Sequence, residues 1–366
     1  NEFMNDVPFR NVYLTGIVRD KLGRKMSKTL GNSPDPLDLI DKYGADAVRL
    51  GMLLCSSAGN DILYDESQIE QGRNFNNKVW NAFRLVTGWT VDAAAQQPEA
   101  SAVAVKWFEN KLSQVVETVN DHFSKFRISD ALMAIYKFFW DDFCAWYLEA
   151  VKPAYGAGID KATYDATIGF FDALLKMIHP IMPFITEELW QNMAERQEGE
   201  TIMNQRYPQA KAYDAEFITA FEMATEAVAG VRNIRQSKNL SPREALDLKI
   251  KGAFPAEVLP VVMKLANVTV ADAEGDMSAA QRFMVRTVEM FVPLTGLINV
   301  EEEIAKLEAE LAYQQKFLDS VRKKLSNERF VANAPEAVVA VERKKEADSL
   351  SKIESITASL KALKNN

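Results

Sequence analysis

Two lysines set three residues apart, Lys25 and Lys28, with the small hydroxyl residue Ser27 between them and glycines Gly23 and Gly31 near either end, give residues 23–32 an unusual convergence of charge, glycine and loop chemistry. Lysine ammonium groups are compact charges that suit phosphate oxygens, and flanking glycines let a loop close over a polyphosphate. The chemistry this suggests is electrostatic stabilisation of a nucleotide triphosphate. The apolar run over residues 12–18 reads as a strand that leads in through the turn at 20–23, and a plain solvated basic turn is the competing reading.

Other residue types narrow the chemistry. The two cysteines, Cys55 and Cys144, lie far apart in 366 residues and each sits inside an apolar helical pattern. A disulfide framework or a Cys-x-x-Cys metal site is thereby excluded, and both read as buried thiols of a cytoplasmic protein. His122 and His179, the two histidines, are expected at packing or surface positions, so neither a histidine-centred catalytic site nor a metal site is expected. A formal net charge of -8 argues against wholesale coating of nucleic acid but leaves room for a local basic face. With 48% hydrophobic and 26% charged residues the composition is that of a soluble globular chain with a well-buried core. No window approaches the ~20 apolar residues of a membrane span. The opening residues have no start methionine and no signal-peptide pattern, so the chain reads as a piece of a longer polypeptide.

The elements that must position the basic loop are expected to be mostly helical. Asp35 as cap and Pro36 at the first helical position open a short helix that Gly44 ends. Apolar stripes come next at Ala47, Leu50, Leu53 and Leu54, then at Ile69, Phe75, Val79, Phe83 and Val86. A helix over about 103–126 sets Val105, Phe108, Leu112, Val115, Val119, Phe123 and Phe126 on one face. Ser129 is expected to cap the next helix, whose aromatics Tyr136, Phe139, Phe143, Trp146 and Tyr147 read as core before they read as a stacking platform for bases. Lys152-Pro153 closes it. A further helix runs to Ile178, and residues 179–183 break it before another that carries Phe184, Ile185, Leu189 and Trp190. To about residue 215 this is an antiparallel helix bundle.

Beyond residue 216 a helix, the strand-like alternation Leu246, Leu248, Ile250, a helical stretch at 258–265 and extended stretches at 267–270 and 291–292 suggest a small α+β subdomain. Within it Arg232, Arg235 and Lys238 place three cations in seven residues, a candidate nucleic-acid face whose alternative is a solvated helix. From residue 299 the composition turns to Glu, Lys, Ala and Leu. Ile304, Leu307, Leu311, Gln314, Leu318, Val321 and Leu325 alternate steps of three and four, a coiled-coil seam, and Ile353, Ile356, Leu360 and Leu363 can return antiparallel along it. Residues 326–335 hold the connection.

The run Lys25-Met26-Ser27-Lys28-Thr29 resembles the KMSKS signature of the class I aminoacyl-tRNA synthetases, with Thr29 where the family usually has serine. Residues 30–50 resemble the segment after that signature in the valine, isoleucine and leucine branch, and Ser57-Ala58-Gly59-Asn60-Asp61 favours the valine members. The resemblance covers nearly the whole chain and implies four parts: the end of a class I catalytic domain at 1–45, a helical anticodon-binding domain at 46–215, a small α+β connecting subdomain at 216–298 and a coiled-coil tRNA-binding arm at 299–366. It implies a mainly α fold and a parent enzyme that activates valine with ATP, magnesium accompanying it, and attaches valine to valine tRNA. Lys28 would contact the ATP phosphates and stabilise the transition state, with Lys25 and Ser27 shaping the loop. The family's His-x-Gly-His type motif cannot be formed here, because His122 and His179 both fall in the helical part. Valine pocket and editing domain are expected outside this chain, so its own competence is expected to be tRNA docking as a monomer, and not catalysis. Asn77, Lys78, Asn81 and Arg84 are the candidate anticodon readers. A helical scaffold that dimerises through its terminal coiled coil is the alternative.

Residues 299–366 hold twelve Lys and Arg against twelve Asp and Glu, so the whole of the -8 lies in the rest of the chain. Arg322, Lys323 and Lys324 cluster before the connection, beside Arg329, and Arg343, Lys344 and Lys345 after it. An antiparallel return would bring both clusters to the same end, opposite Glu301, Glu302 and Glu303, where they could touch RNA phosphate without reading sequence.

Overall fold

A computed structural model describes residues 4–55, 59–277, 280–294, 300–326 and 336–364. The chain divides into two units: residues 1–229 with 254–267, and residues 230–253 with 268–366.

The first unit begins with a two-residue strand, β1 (Val18–Arg19), in place of the longer strand expected over 12–18; Val12, Leu14 and Ile17 are exposed. β1 pairs in parallel with β2 (Ile62–Leu63). Between them lie α1 (Pro36–Tyr43) and α2 (Ala45–Leu54). The Asp35 carboxylate accepts the Leu37 amide at 2.9 Å, proline opens the helix and Gly44, at φ 90°, ends it, as the sequence indicates. α3 (Glu66–Thr87) and α4 (Glu99–Ser124) come next, joined by β3 (Val91–Asp92), which pairs with β4 (Ile159–Asp160).

α4 is helical where expected, but its buried face is turned. Ala104, Trp107, Phe108, Val116 and Val119 are buried, whereas Phe123 and Phe126 are exposed. Ser129, expected to cap the next helix, lies inside α5 (Ile128–Lys137), which starts directly after Arg127 with no side-chain cap. Phe126, at φ 58°, makes the turn instead. The chain then passes through a π-helical segment (Phe138–Tyr147) and the short α6 (Leu148–Val151). Wider π turns suit the crowding there: Phe138, Phe143, Tyr147 and Phe170 surround Phe108 with ring centroids 4.8–5.3 Å away. Most of the aromatic run is thus core, and the buried Tyr147 hydroxyl meets Thr167 Oγ1 at 2.7 Å.

α7 (Lys161–Ile178), capped by Asp160, and α8 (Pro183–Met193) complete this layer. α2 is tied to their junction. Buried Asp46 accepts the Phe184 and Ile185 amides at 3.3 and 2.7 Å, and Arg49 donates to the Pro180 and Ile181 carbonyls at 3.1 and 2.8 Å. α9 (Ala215–Ser237) contains the boundary between the units, and Trp107 stacks on its Phe221 at 3.9 Å. α10 (Leu259–Ala266) packs on α4 and α6.

The second unit holds a four-stranded sheet of order β6-β5-β8-β7, with β5 (Leu246–Lys251), β6 (Val268–Asp272), β7 (Gln281–Val285) and β8 (Val288–Val292). β5 and β6 are parallel and the other neighbours antiparallel. Gly230 is fixed by packing, since a Cβ there would lie 2.1 Å from the Phe283 ring. The same unit contains α11 (Val300–Leu325) and α12 (Glu336–Lys364), which pack along each other. Among the described residues, Leu318 and Val321 on one helix and Val339, Ile356 and Leu360 on the other are the buried apolar residues of the pair. The side chains of Ile304, Leu307, Leu363 and Glu301 to Glu303, and residues 327–335 with Arg329, lie outside the described residues.

Candidate nucleotide loop and RNA-binding surfaces

The basic loop is built on a close backbone approach. Gly16 lies against Asn60, where a Cβ would come within 1.9 Å of the Asn60 carbonyl oxygen. Asp61 then accepts the Ile17 amide at 3.0 Å and pairs with Arg19, fixing the strand that feeds the loop.

Asp20 organises the turn after that strand. Its carboxylate accepts the Leu22 and Arg24 amides at 3.0 and 2.8 Å, the Arg24 guanidinium at 2.7 Å and the Asn32 side-chain amide at 2.9 Å. The Asn32 bond, with the others, holds the Asp20 carboxyl down at about 2. Asn32 also accepts the Ser27 amide at 2.9 Å and donates to the Lys25 carbonyl at 3.3 Å. Ser27 Oγ accepts the Thr29 amide at 3.2 Å. Both ends of the loop are therefore held, while Lys25 and Lys28 are exposed, with no ion-pair partner among the described residues. Such an arrangement offers two uncompensated cations on a closed backbone, which fits a polyphosphate. Asp20 and Asn32 were not singled out from sequence; their signal was a carboxylate opening a tight turn and an amide just past the second glycine.

On α3, Asn77, Asn81 and Arg84 are exposed at steps of three and four, on one face. Lys78 points elsewhere, with its ammonium over the Trp140 ring at 5.2 Å. The sequence reading missed Trp80, which is 40% exposed and completes the stripe. Its i+3 position from Asn77 was the available signal. An indole among amides and a guanidinium can stack on and hydrogen-bond an unstacked base.

The candidate pair on α9 separates. Arg232 is exposed, but Arg235 is 5% exposed and donates to the Ser241 carbonyl at 2.7 Å. As placed, Arg235 closes its own loop and is not offered to phosphate. In the helical pair, Arg322 donates to Glu346 at 2.9 Å, and Lys345 and Lys324 approach Glu342 Oε1 at 2.7 and 3.9 Å. The two basic clusters are thus brought side by side. Lys323, Arg343 and Lys344 are exposed.

Elsewhere the two histidines take packing positions: His179 Nδ1 meets Thr186 Oγ1 at 2.7 Å, and His122 Nδ1 is buried without a hydrogen-bond partner among the described residues. Cys144 is buried, its thiol pushed up to about 12 by desolvation. Among the described residues no helix is long and apolar enough to cross a membrane.

Three family profiles match in succession: "tRNA synthetases class I (I, L, M and V)" over residues 1–65, "Anticodon-binding domain of tRNA ligase" over 105–250, and "Valyl tRNA synthetase tRNA binding arm" over 299–364. The chain is 56% identical over 363 residues to the valine–tRNA ligase of Parabacteroides distasonis, 56% over 365 to that of Phocaeicola vulgatus and 54% over 367 to that of Bacteroides thetaiotaomicron. Each alignment covers 99% of this chain and 42% of the relative. With a signature loop, an anticodon-binding domain and a tRNA-binding arm matched in one order, the chain belongs to the valine–tRNA ligase family of class I tRNA synthetases and spans 42% of the length of these members.

Proposed function

We propose that this chain is the tRNA-docking part of an enzyme that activates valine with ATP and transfers it to valine tRNA. The observation that carries this reading is the order of the three matched segments along one chain. Residues 1–45 would bring the signature loop to a catalytic core, 46–215 would read the anticodon, 216–298 would connect, and 299–366 would form a coiled-coil arm on the RNA backbone. A scaffold that dimerises through its last two helices is not favoured, because identity to valine–tRNA ligases extends over 99% of the chain.

ATP supplies the phosphoryl centre that valine attacks. Lys28 would stabilise the charge that develops on its phosphates, and Lys25 and Ser27 would hold the loop's shape. The ammonium groups of Lys25 and Lys28, exposed and unpaired among the described residues, support that role, and magnesium would arrive with the triphosphate. Asn77, Trp80, Asn81 and Arg84 would form the anticodon-facing stripe, and Arg232 a lesser phosphate contact. The chain would act as a monomer in the cytoplasm.

One basic loop without an amino-acid pocket supplies only part of the positioning and electrostatic stabilisation. Valine-dependent pyrophosphate exchange by the 366-residue chain is therefore expected at background. Exchange above background would show a complete catalytic centre and overturn the reading that this chain docks tRNA without itself catalysing activation.

A further inference from the structure

We propose that Glu342 and Glu346 are positioning residues that clamp one face of the α11–α12 pair, so that Lys323, Arg343 and Lys344 are the cations left to meet RNA phosphate. The inference rests on reading this helical pair as an RNA-backbone arm.

Glu342 is 6% exposed, on the face of α12 that meets α11, three residues after the buried Val339 and one turn before Glu346. Its Oε1 takes Lys345 at 2.7 Å and lies 3.9 Å from Lys324 of the other helix. Its Oε2 is buried with no hydrogen-bond partner among the described residues. Hydrophobic residues would pack such a position more stably, and buried ionic groups in paired helices are best known for fixing register. Glu346, further along the same face, takes Arg322 Nε at 2.9 Å. The pairs 322 to 346 and 324 to 342 run in opposite sequence sense, so together they fit a single antiparallel register.

The six clustered cations therefore divide. Arg322, Lys324 and Lys345 are turned onto the two carboxylates, Lys324 and Lys345 sharing Glu342, so three cations face two negative charges. Lys323, Arg343 and Lys344 are exposed and have no partner among the described residues. Phosphate affinity tracks uncompensated charge, since each neutralised phosphate releases counterions and steepens the salt dependence. The glutamates would thus aid a polyanion partner despite their own negative charge.

The test uses the full chain and a valine-accepting tRNA transcript, titrated at several salt concentrations. Lys323→Gln/Arg343→Gln/Lys344→Gln is expected to weaken binding tenfold or more and to lower the salt slope by about 2, at about 0.7 to 0.9 for each phosphate no longer neutralised. Glu342→Gln/Glu346→Gln removes two negative charges, so electrostatics alone would tighten binding. Positioning predicts severalfold weaker binding, with rescue by Glu342→Asp/Glu346→Asp and helix content unchanged by circular dichroism. Tighter binding by the Gln pair would overturn the clamp while leaving the arm intact. Parent-like binding by the triple cation variant would overturn the arm reading itself. If the Gln pair loses helix content, tRNA affinity of the Asp pair decides: parent-like affinity supports the clamp, and binding weaker than the parent overturns it.

Discussion

Asn32 donates its side-chain amide to Asp20 at 2.9 Å, which draws the far end of the basic loop back onto the turn that opens it. The same amide group accepts from Ser27 through its oxygen, so one asparagine holds both the carboxylate and the loop backbone. Lys25 and Lys28 are thereby carried on a closed frame and not on a free tether.

Asn32→Ala should raise the Asp20 carboxyl from about 2 toward its ordinary value of 3.8. A carboxyl lowered in the folded state stabilises above its unfolded value and loses that contribution as pH falls through its folded value. Loop closure should therefore be complete above pH ~4 and lost as pH falls toward 2. Carboxyl-carbon NMR titration of both proteins checks this. An Asp20 midpoint unmoved by the substitution would remove Asn32 as the pin.

Lys28→Ala in a full-length relative should slow valine-dependent pyrophosphate exchange by about 10²-fold or more, the scale of losing one preorganised donor worth ~2.7–4 kcal/mol. Lys25→Ala should cost less if it shapes the loop. Equal rates for Lys28→Ala and parent would place the phosphate contact elsewhere.

Asp46 carries the join between α2 and the start of α8, accepting two amides of a helix whose own N-cap residue, Met182, makes no side-chain cap. Asp46→Ala should destabilise the first unit by about 1–2 kcal/mol, as loss of a helix cap does. Urea unfolding monitored by tryptophan fluorescence measures it, and an unchanged midpoint would assign the join to Arg49 alone.

Asp142 has its carboxyl pushed up to about 6, by burial first and then by the neighbouring charges of Asp141 and Glu222. A carboxyl raised in the folded state contributes stability below its unfolded value of ~4 and loses it as pH rises through about 6. Asp142→Asn should thus raise the unfolding free energy at pH 8 by about 1–2 kcal/mol and flatten its change between pH 4 and 7. Denaturation at pH 4.5 and 8 decides it; an equal change at both pH values would rule out titration of Asp142.

Much of this was legible in the residues themselves. The cap and stop of α1 and the strand alternation of β5 are local, set by Asp35, Pro36, Gly44 and by period-two burial, and local rules carried them. The features that escaped were tertiary. Phe108 was on the expected stripe of α4 and does enter the ring cluster, but the buried face is turned because Trp107 must also reach Phe221, a contact that a stripe count along one helix does not contain. Arg235 read as a surface cation because charge was weighed without knowing that Ser241 folds back over it. Glu342 went unnoticed for the opposite reason, since a glutamate in a charged helix gives no sign of burial until its partner helix is known.

The docking role rests on direct binding of RNA by this chain, and titration of valine tRNA at several salt concentrations tests it most directly. Affinity should fall steeply as salt rises, since phosphate contacts by a few cations must act against a net charge of -8. It should fall again, at any one salt concentration, for a transcript with a changed anticodon, and Trp80→Ala with Arg84→Ala should erase that difference. An affinity indifferent to both salt and anticodon would contradict tRNA docking by this chain.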